Sequence, residues 1–192
     1  MPPSDVGGRK LIVGLGNPGS RYEWTRHNIG MHIVQELAKK HNLLLKSEKT
    51  CNAHLARGGF DGVDVVLATP KGYMNESGGS VGRLLKFVGC GLSDLLVVVD
   101  DIETTWGEIK IAFDGGARGH NGIRSIHTVV GSREFSQLRF GVGRPGGGTV
   151  SDYVLEKFTF QEMAELPSMI ERSIPLVEQW VVGPKIERKE GK

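Results

Sequence analysis

The strongest constraint on this chain is a recurring pattern: a short apolar run, a stop in glycine or polar residues, then a helical stripe. Leu11-Ile12-Val13 opens it. A run rich in β-branched residues is the signature of a buried strand. Gly14-Leu15-Gly16-Asn17-Pro18-Gly19 follows at once. Glycine opens backbone conformations that other residues avoid, and Pro18 fixes φ and has no N–H, so the strand must end there. Thr25-Arg26-His27-Asn28 then sits where a helix should begin. From Ile29 the apolar residues Ile33, Val34, Leu37 and Ala38 fall at helical spacing. Asn17 therefore lies just past a strand end and His27 near a helix start. Open α/β sheets bind ligands at the carboxyl ends of their strands.

The same grammar continues along the chain. Leu43-Leu44-Leu45 and the segment around Ala53-His54-Leu55 are short apolar stretches compatible with strands. Gly58-Gly59 and Asp61-Gly62 are turn signals. Val63 to Ala68 predicts a strand, which leaves Tyr73-Met74-Asn75 on a loop at its end. Val81, Leu84, Leu85 and Val88 predict a second helix, stopped by Gly89. Leu95 to Val99 is the most strongly buried strand signal, terminated by Asp100 and Asp101. Side chains alternate along a strand, so only one of these acids faces a given site easily. Ile109 to Phe113 alternates as a strand, and Asp114 to Gly119 forms a loop. His120-Asn121-Gly122 opens a third helix carried by Ile123, Ile126, Val129 and Val130. Leu138 to Val142 is a last strand, and Gly146 to Gly148 a loop. Gln161 to Val182 is helical but interrupted by Pro167 and Pro175, giving two short helices or one kinked helix. The order predicts an α/β fold: a single-domain, three-layer α/β/α sandwich with a twisted mixed sheet. Its expected extent is residues 9–182, with a loose tail at 1–8 and a charged tail at 183–192.

Composition narrows the class. At 192 residues the chain suits one domain with a substantial core. No apolar run approaches the length of a membrane span, and MPPSDVGG has no signal-peptide pattern. Two cysteines without a C-x-x-C argue against a disulfide framework and a structural zinc, and for a cytoplasmic setting. A net charge of +2 does not announce a nucleic-acid binder. A basic patch has to be argued from position.

Three chemical readings compete. Gly14-x-Gly16-x-x-Gly19 matches a dinucleotide fingerprint, but that motif needs a helix starting within it. Pro18-Gly19-Ser20 is a turn instead, and Glu36, the candidate ribose acid, sits inside the helix. Asp100, Asp101 and Glu103 suggest a Mg²⁺ site, since hard cations take carboxylate clusters. The third reading is hydrolytic. His27 follows a strand-end loop, and Asp100 at another strand end can orient its ring. Asn17, Asn75 and Asn121 lie at separate loops of the same sheet edge. Amides donate and accept without charge, which suits an ester and a bound peptide. Tyr22 and Tyr73 can stack on a base or pack a peptide, and Met74 suits an apolar wall.

GLGNPG followed by TRHNIG resembles the start of the bacterial-type peptidyl-tRNA hydrolases. YMN at Tyr73, VVDDIE from Val98, GHNG from Gly119 and LRFGVGRPG from Leu138 follow in that family's order and spacing. The resemblance covers roughly residues 9 to 182. It implies an esterase that frees tRNA from peptide, with His27 as general base and Asp100 as its partner. It also implies that Asn17 and Asn75 hold the peptidyl end, with Asn17 favouring N-blocked substrates. Asn121 would position the water or the terminal ribose, with Gly119 and His120 beside it. Lys110 and Arg139, with Arg118 on the glycine loop, would meet tRNA phosphates. The resemblance implies no metal, no cofactor, no membrane association, and a monomer. Many family members carry a lysine at the position of Ala112 and a glycine at that of Arg118, so the basic patch is rearranged here. Relatives in plant organelles act as intron-splicing partners without hydrolysis, which is the alternative function for this fold.

Overall fold

The computed structural model describes residues 8–183. These run through β1 (Lys10–Gly14), α1 (Ile29–Lys40), β2 (Lys46–Glu48), β3 (Ala53–Phe60), β4 (Val63–Pro70), α2 (Ser77–Val88) and β5 (Leu95–Asp101). They continue through β6 (Ile109–Phe113), α3 (Asn121–Val130), β7 (Ser136–Gly141), α4 (Val150–Leu155) and α5 (Phe160–Val182). Apart from Gly8 and Gly183, the two expected tails lie outside the described residues.

The seven strands form one sheet in the order β2-β3-β4-β1-β5-β7-β6. Its centre is parallel: β1 pairs with β4 and β5, and β5 with β7. The edges are antiparallel, β2 and β3 on one side and β6 on the other. Strands buried on both faces read as continuous apolar runs, and β5 is buried throughout. The alternation of β1 splits the core in two. Ile12 joins the cluster under α1 and α5, whereas Leu11 and Val13 join the one under α2 and α3.

Glycine sets how near α1 can come to the sheet. A Cβ on Gly14 would overlap the Gly30 carbonyl, and one on Gly30 would overlap the Val98 carbonyl. The N-terminus of α1 therefore lies against β1 and β5, where it presents the preceding residues to the strand ends.

The structure revises several sequence expectations. Leu43 to Leu45 is not a strand; β2 begins at Lys46. Gly58 and Gly59 are not a turn but part of β3. Leu43 packs where a Gly58 side chain would be, so the glycine makes room for a neighbour rather than a bend. The turn falls only at Asp61-Gly62, both with positive φ, as a two-residue hairpin of this hand requires. Asp100 and Asp101 do not end β5 from outside; they are its last two residues, paired with Phe140 and Gly141 of β7. Residues 160–182 form one helix despite Pro167 and Pro175. Both prolines lie on its exposed face, while Leu166, Ile170, Ile174 and Val177 are buried and hold it to the core. The short α4 lies in a stretch with no helical expectation; its N-cap is Thr149, which accepts from the Asp152 N–H.

Gly30→Ala should lower the unfolding free energy by about 2–3 kcal/mol, the upper part of the range for overpacking a core. Urea melts would show this as a lower midpoint at an unchanged slope.

Candidate active site

The loops after β1 and β4, the end of β5 and the start of α3 meet at the carboxyl edge of the sheet. There they enclose an open cavity of about 780 Å³. Every residue expected at the site lines it, except Lys110. Lys110 lies on β6, in register with Arg139 but outside the lining.

His27 sits in a single 3-10 turn (Arg26–Asn28) that runs into α1. The turn is held by buried Arg26, which donates to the Tyr153 carbonyl and, at 2.9 Å, to Glu162 Oε2. Its guanidinium also stacks 4.1 Å from the Tyr153 ring centre. His27 Nδ1 lies 2.8 Å from Asp100 Oδ1. His120 Nε2 lies 3.1 Å from the same oxygen.

These contacts fix the protons. An ionised carboxylate only accepts, so both nitrogens carry hydrogen. His120 caps α3, its Nδ1 accepting from the Ile123 N–H at 3.3 Å. That nitrogen therefore carries no proton and His120 is neutral. Burial, chiefly, also pushes the His120 pKa down. At Asp100 burial works against ionisation, but the two adjacent histidines outweigh it and hold the carboxyl well below its usual range. With Nδ1 engaged by Asp100, Nε2 is the His27 nitrogen left for the cavity.

Asn17 is equally constrained. Its Oδ1 accepts from the Met74 N–H at 2.8 Å, leaving Nδ2 as a donor for the cavity. Asn28 locks its backbone from both sides: Asn28 Oδ1 accepts from the Asn17 N–H at 2.8 Å, and Asn28 Nδ2 donates to the Asn17 carbonyl at 3.0 Å. Asn75 and Asn121 are exposed and line the cavity. Tyr22 and Tyr73 meet edge to face at 6.4 Å across the rim, and buried Met74 forms the apolar floor beside Gly122.

Asp101 points to a different set of groups. Its oxygens accept from the Glu103 N–H, Thr104 Oγ1 and Arg118 Nη1, with Arg139 Nη1 at 3.5 Å. Arg139 is buried and also donates to the Gly116 carbonyl and Gln137 Oε1. Its guanidinium braces the glycine loop from a buried position at the cavity wall. Glu103 pairs with Arg144. The three acids thus take separate partners and do not converge as a Mg²⁺ site would require. Among the described residues, only His27, Asp100 and His120 are spaced like metal ligands, and direct hydrogen bonds join them. The glycine motif does not open a helix either. Gly19 leads into a 3-10 turn (Ser20–Tyr22), and α1 starts only at Ile29.

Three contributions were not anticipated. Asn28 locks Asn17, His120 shares the carboxylate, and α4 supplies a wall through Val150, Ser151, Val154 and Leu155. Asn28 directly follows His27, so its proximity was visible. Its two-pronged contact, bridging eleven positions, was not.

A three-layer α/β/α sheet with a histidine–carboxylate pair at its strand ends, amide donors around it and room for a large ligand defines a hydrolase-type site. The comparisons narrow that class. The family model described as peptidyl-tRNA hydrolase matches residues 11–190. The peptidyl-tRNA hydrolase of Mycobacterium avium (strain 104) is 41% identical over 169 residues, 88% of each chain. That of Oceanobacillus iheyensis is 40% identical over 175 residues, 91% of this chain and 93% of the relative. The crystal structure of peptidyl-tRNA hydrolase from Acinetobacter baumannii superposes with a TM-score of 0.85 at 39% identity, covering 91% of this chain and 89% of that one. The chain belongs to the peptidyl-tRNA hydrolase family.

The neutral state of His120 has a measurable consequence. An unfolded histidine titrates near 6.5, and folded His120 titrates lower. Above pH 6.5 neither state binds the proton and stability is fully present. As pH falls through 6.5, the unfolded chain gains a proton that the folded chain does not, so stability is lost. His120→Asn, which keeps a capping side chain, should flatten this loss by up to about 1.4 kcal/mol per pH unit between pH 6.5 and 5. Urea melts of both proteins across that range would measure the difference.

Proposed function

We propose that this protein hydrolyses the ester bond between a peptide, or an N-blocked amino acid, and the 3′ ribose of tRNA. The observation that carries this is the 2.8 Å contact of His27 Nδ1 with buried Asp100, which frees Nε2 for a cavity lined by amides. In this mechanism His27 Nε2 takes a proton from water, and the hydroxide adds to the ester carbonyl carbon. Asp100 stabilises the imidazolium so formed. Collapse of the tetrahedral intermediate breaks the bond to the ribose oxygen, which receives the proton from His27 Nε2. The products are a peptide carboxylate and a free tRNA 3′ end.

The amides divide the remaining work. Asn17 offers only N–H to the substrate, because its oxygen is committed to Met74. A donor favours the carbonyl of a blocked amine and disfavours a free ammonium group. This supports selection for peptidyl over aminoacyl ends. Asn75 is assigned to the peptide backbone, and Asn121 to the water or terminal ribose. Tyr22, Tyr73 and Met74 pack the peptide side, and Gly119 with His120 shapes the ribose side. The mechanism needs no metal ion or cofactor. A single chain supplies the whole site, which supports a monomer. Two unpaired cysteines, Cys51 and Cys90, fit a cytoplasmic compartment. Among the described residues no helix is long and apolar enough to cross a membrane. No observation favours a non-catalytic splicing partner.

The test is release of N-acetyl amino acid from N-acetyl-aminoacyl-tRNA, with free aminoacyl-tRNA as control and with EDTA in a parallel assay. The blocked substrate alone should be cleaved, with or without EDTA. His27→Ala should lower kcat by about 10²–10⁴, the range for general base catalysis, with an unchanged circular dichroism spectrum. Asp100→Asn should lower it similarly, because it removes the charge that stabilises imidazolium. A folded His27→Ala protein with the wild-type rate would overturn the mechanism. Wild-type binding of tRNA without cleavage would favour the splicing-partner function instead.

A further inference from the structure

We infer that Arg118 is an exchangeable clamp, held by Asp101 in the free protein and passed to a phosphodiester at the tRNA 3′ end when substrate binds. The inference rests on the hydrolase reading above and deepens it.

Arg118 is a non-glycine residue at φ 45°, followed by Gly119 at φ 82°. A side chain with a Cβ is strained in that region, where glycine would be free. Arginine at this position therefore costs stability, and what it supplies must be its side chain. That side chain lines the reaction cavity and is 44% exposed. It sits two residues before His120, which touches Asp100.

Its partner does not depend on it. Asp101, with a side chain only 1% exposed, already accepts from the Glu103 N–H and Thr104 Oγ1. Arg139 Nη1 lies 3.5 Å away and stays buried. When Arg118 swings out, Asp101 keeps a cation and two hydrogen-bond donors, so no buried charge is stranded. Arg139 has no such freedom, because it also holds the Gly116 carbonyl and Gln137. Of the two arginines that line the cavity, only Arg118 is both exposed and dispensable to its partner.

The substrate supplies the matching anion. The ester lies on a ribose whose 5′ oxygen carries a phosphate, so a phosphodiester is always one sugar away from the reacting carbonyl. A planar guanidinium bridges two phosphate oxygens well. The exchange trades one anion for another, so its net effect on affinity is modest.

The test uses the full chain with Arg118→Gly, Arg118→Gln and Arg118→Lys. Three quantities are measured: melting temperature, KM for N-acetyl-aminoacyl-tRNA, and Kd for deacylated tRNA across a salt series. Arg118→Gly should melt at or above the wild-type temperature, because the strain is relieved. Its KM and Kd should rise roughly two- to fivefold, as expected for one exchanged charge pair. The slope of log Kd against log salt should become shallower by roughly 0.7–0.9, one phosphate contact. Arg118→Gln should lose affinity similarly, and Arg118→Lys should restore most of it. A lower melting temperature with unchanged Kd and salt slope would overturn the clamp and leave Arg118 a loop brace. A loss confined to kcat would overturn it too. Failure of the wild type to cleave would defeat the hydrolase reading, whereas the Kd comparison judges Arg118 by itself.

Discussion

Asp100 carries its charge at a place where only 2% of its side chain reaches solvent. Removing a carboxylate from water costs several kcal/mol unless donors replace the water. The protein supplies two, His27 and His120, both on the same oxygen. Neither comes from β5. One arrives on the turn before α1 and the other on the cap of α3. The carboxylate thus ties together the two helical layers of the sandwich at the edge of its central sheet. The same requirement that makes the charge tolerable also orients the proposed base.

That tie is possible because backbones approach closely. Gly14 and Gly30 let α1 come down onto β1 and β5. Arg26 anchors the His27 turn to Tyr153 and Glu162 on the opposite side. Asn28 then fixes Asn17 across the loop. Four consecutive residues, Thr25 to Asn28, therefore serve as anchor and site together. Side chains of Arg26, His27 and Asn28 are all buried although all are polar. Buried polar atoms are in the large majority hydrogen-bonded. Here His27 pairs with Asp100, Asn28 with the Asn17 backbone and the Arg26 Nη groups with Tyr153 and Glu162, while Arg26 Nε is left without a partner.

Much of this was legible in the sequence, for identifiable reasons. Parallel central strands are buried on both faces, so β1, β4 and β5 announce themselves as apolar runs. Strand ends in such a sheet are where ligands sit, so Asn17, Tyr73-Met74-Asn75 and Asp100 were findable by position alone. What was not legible depends on distant partners. Gly58-Gly59 looks like a turn until Leu43 is seen packed against it. Pro167 and Pro175 look like breaks until both prove to lie on the exposed face of α5. The burial of Arg139 is invisible because alternation in β7 gives a face but not what covers it. His120 lines the cavity beside Asn121, but its capping bond and its bond to Asp100, which make it a fixed neutral donor, depend on partners that the sequence does not show.

The adjacent acids Asp100 and Asp101 show how the sheet sorts charge. Consecutive strand residues face opposite ways, so two carboxylates next to each other in sequence meet different neighbours. Asp100 meets imidazoles, groups whose protonation changes near neutral pH. Asp101 meets guanidiniums, which stay charged throughout that range. Had the partners been exchanged, a permanent cation would sit beside His27 and oppose its protonation during turnover. With the arginines held on Asp101, their charge is neutralised locally, and Asp100 keeps its own charge for the imidazolium that the proposed mechanism forms. Pairing each acid with a different class of base lets one strand end hold both the proposed proton-transfer pair and the Asp101–arginine cluster.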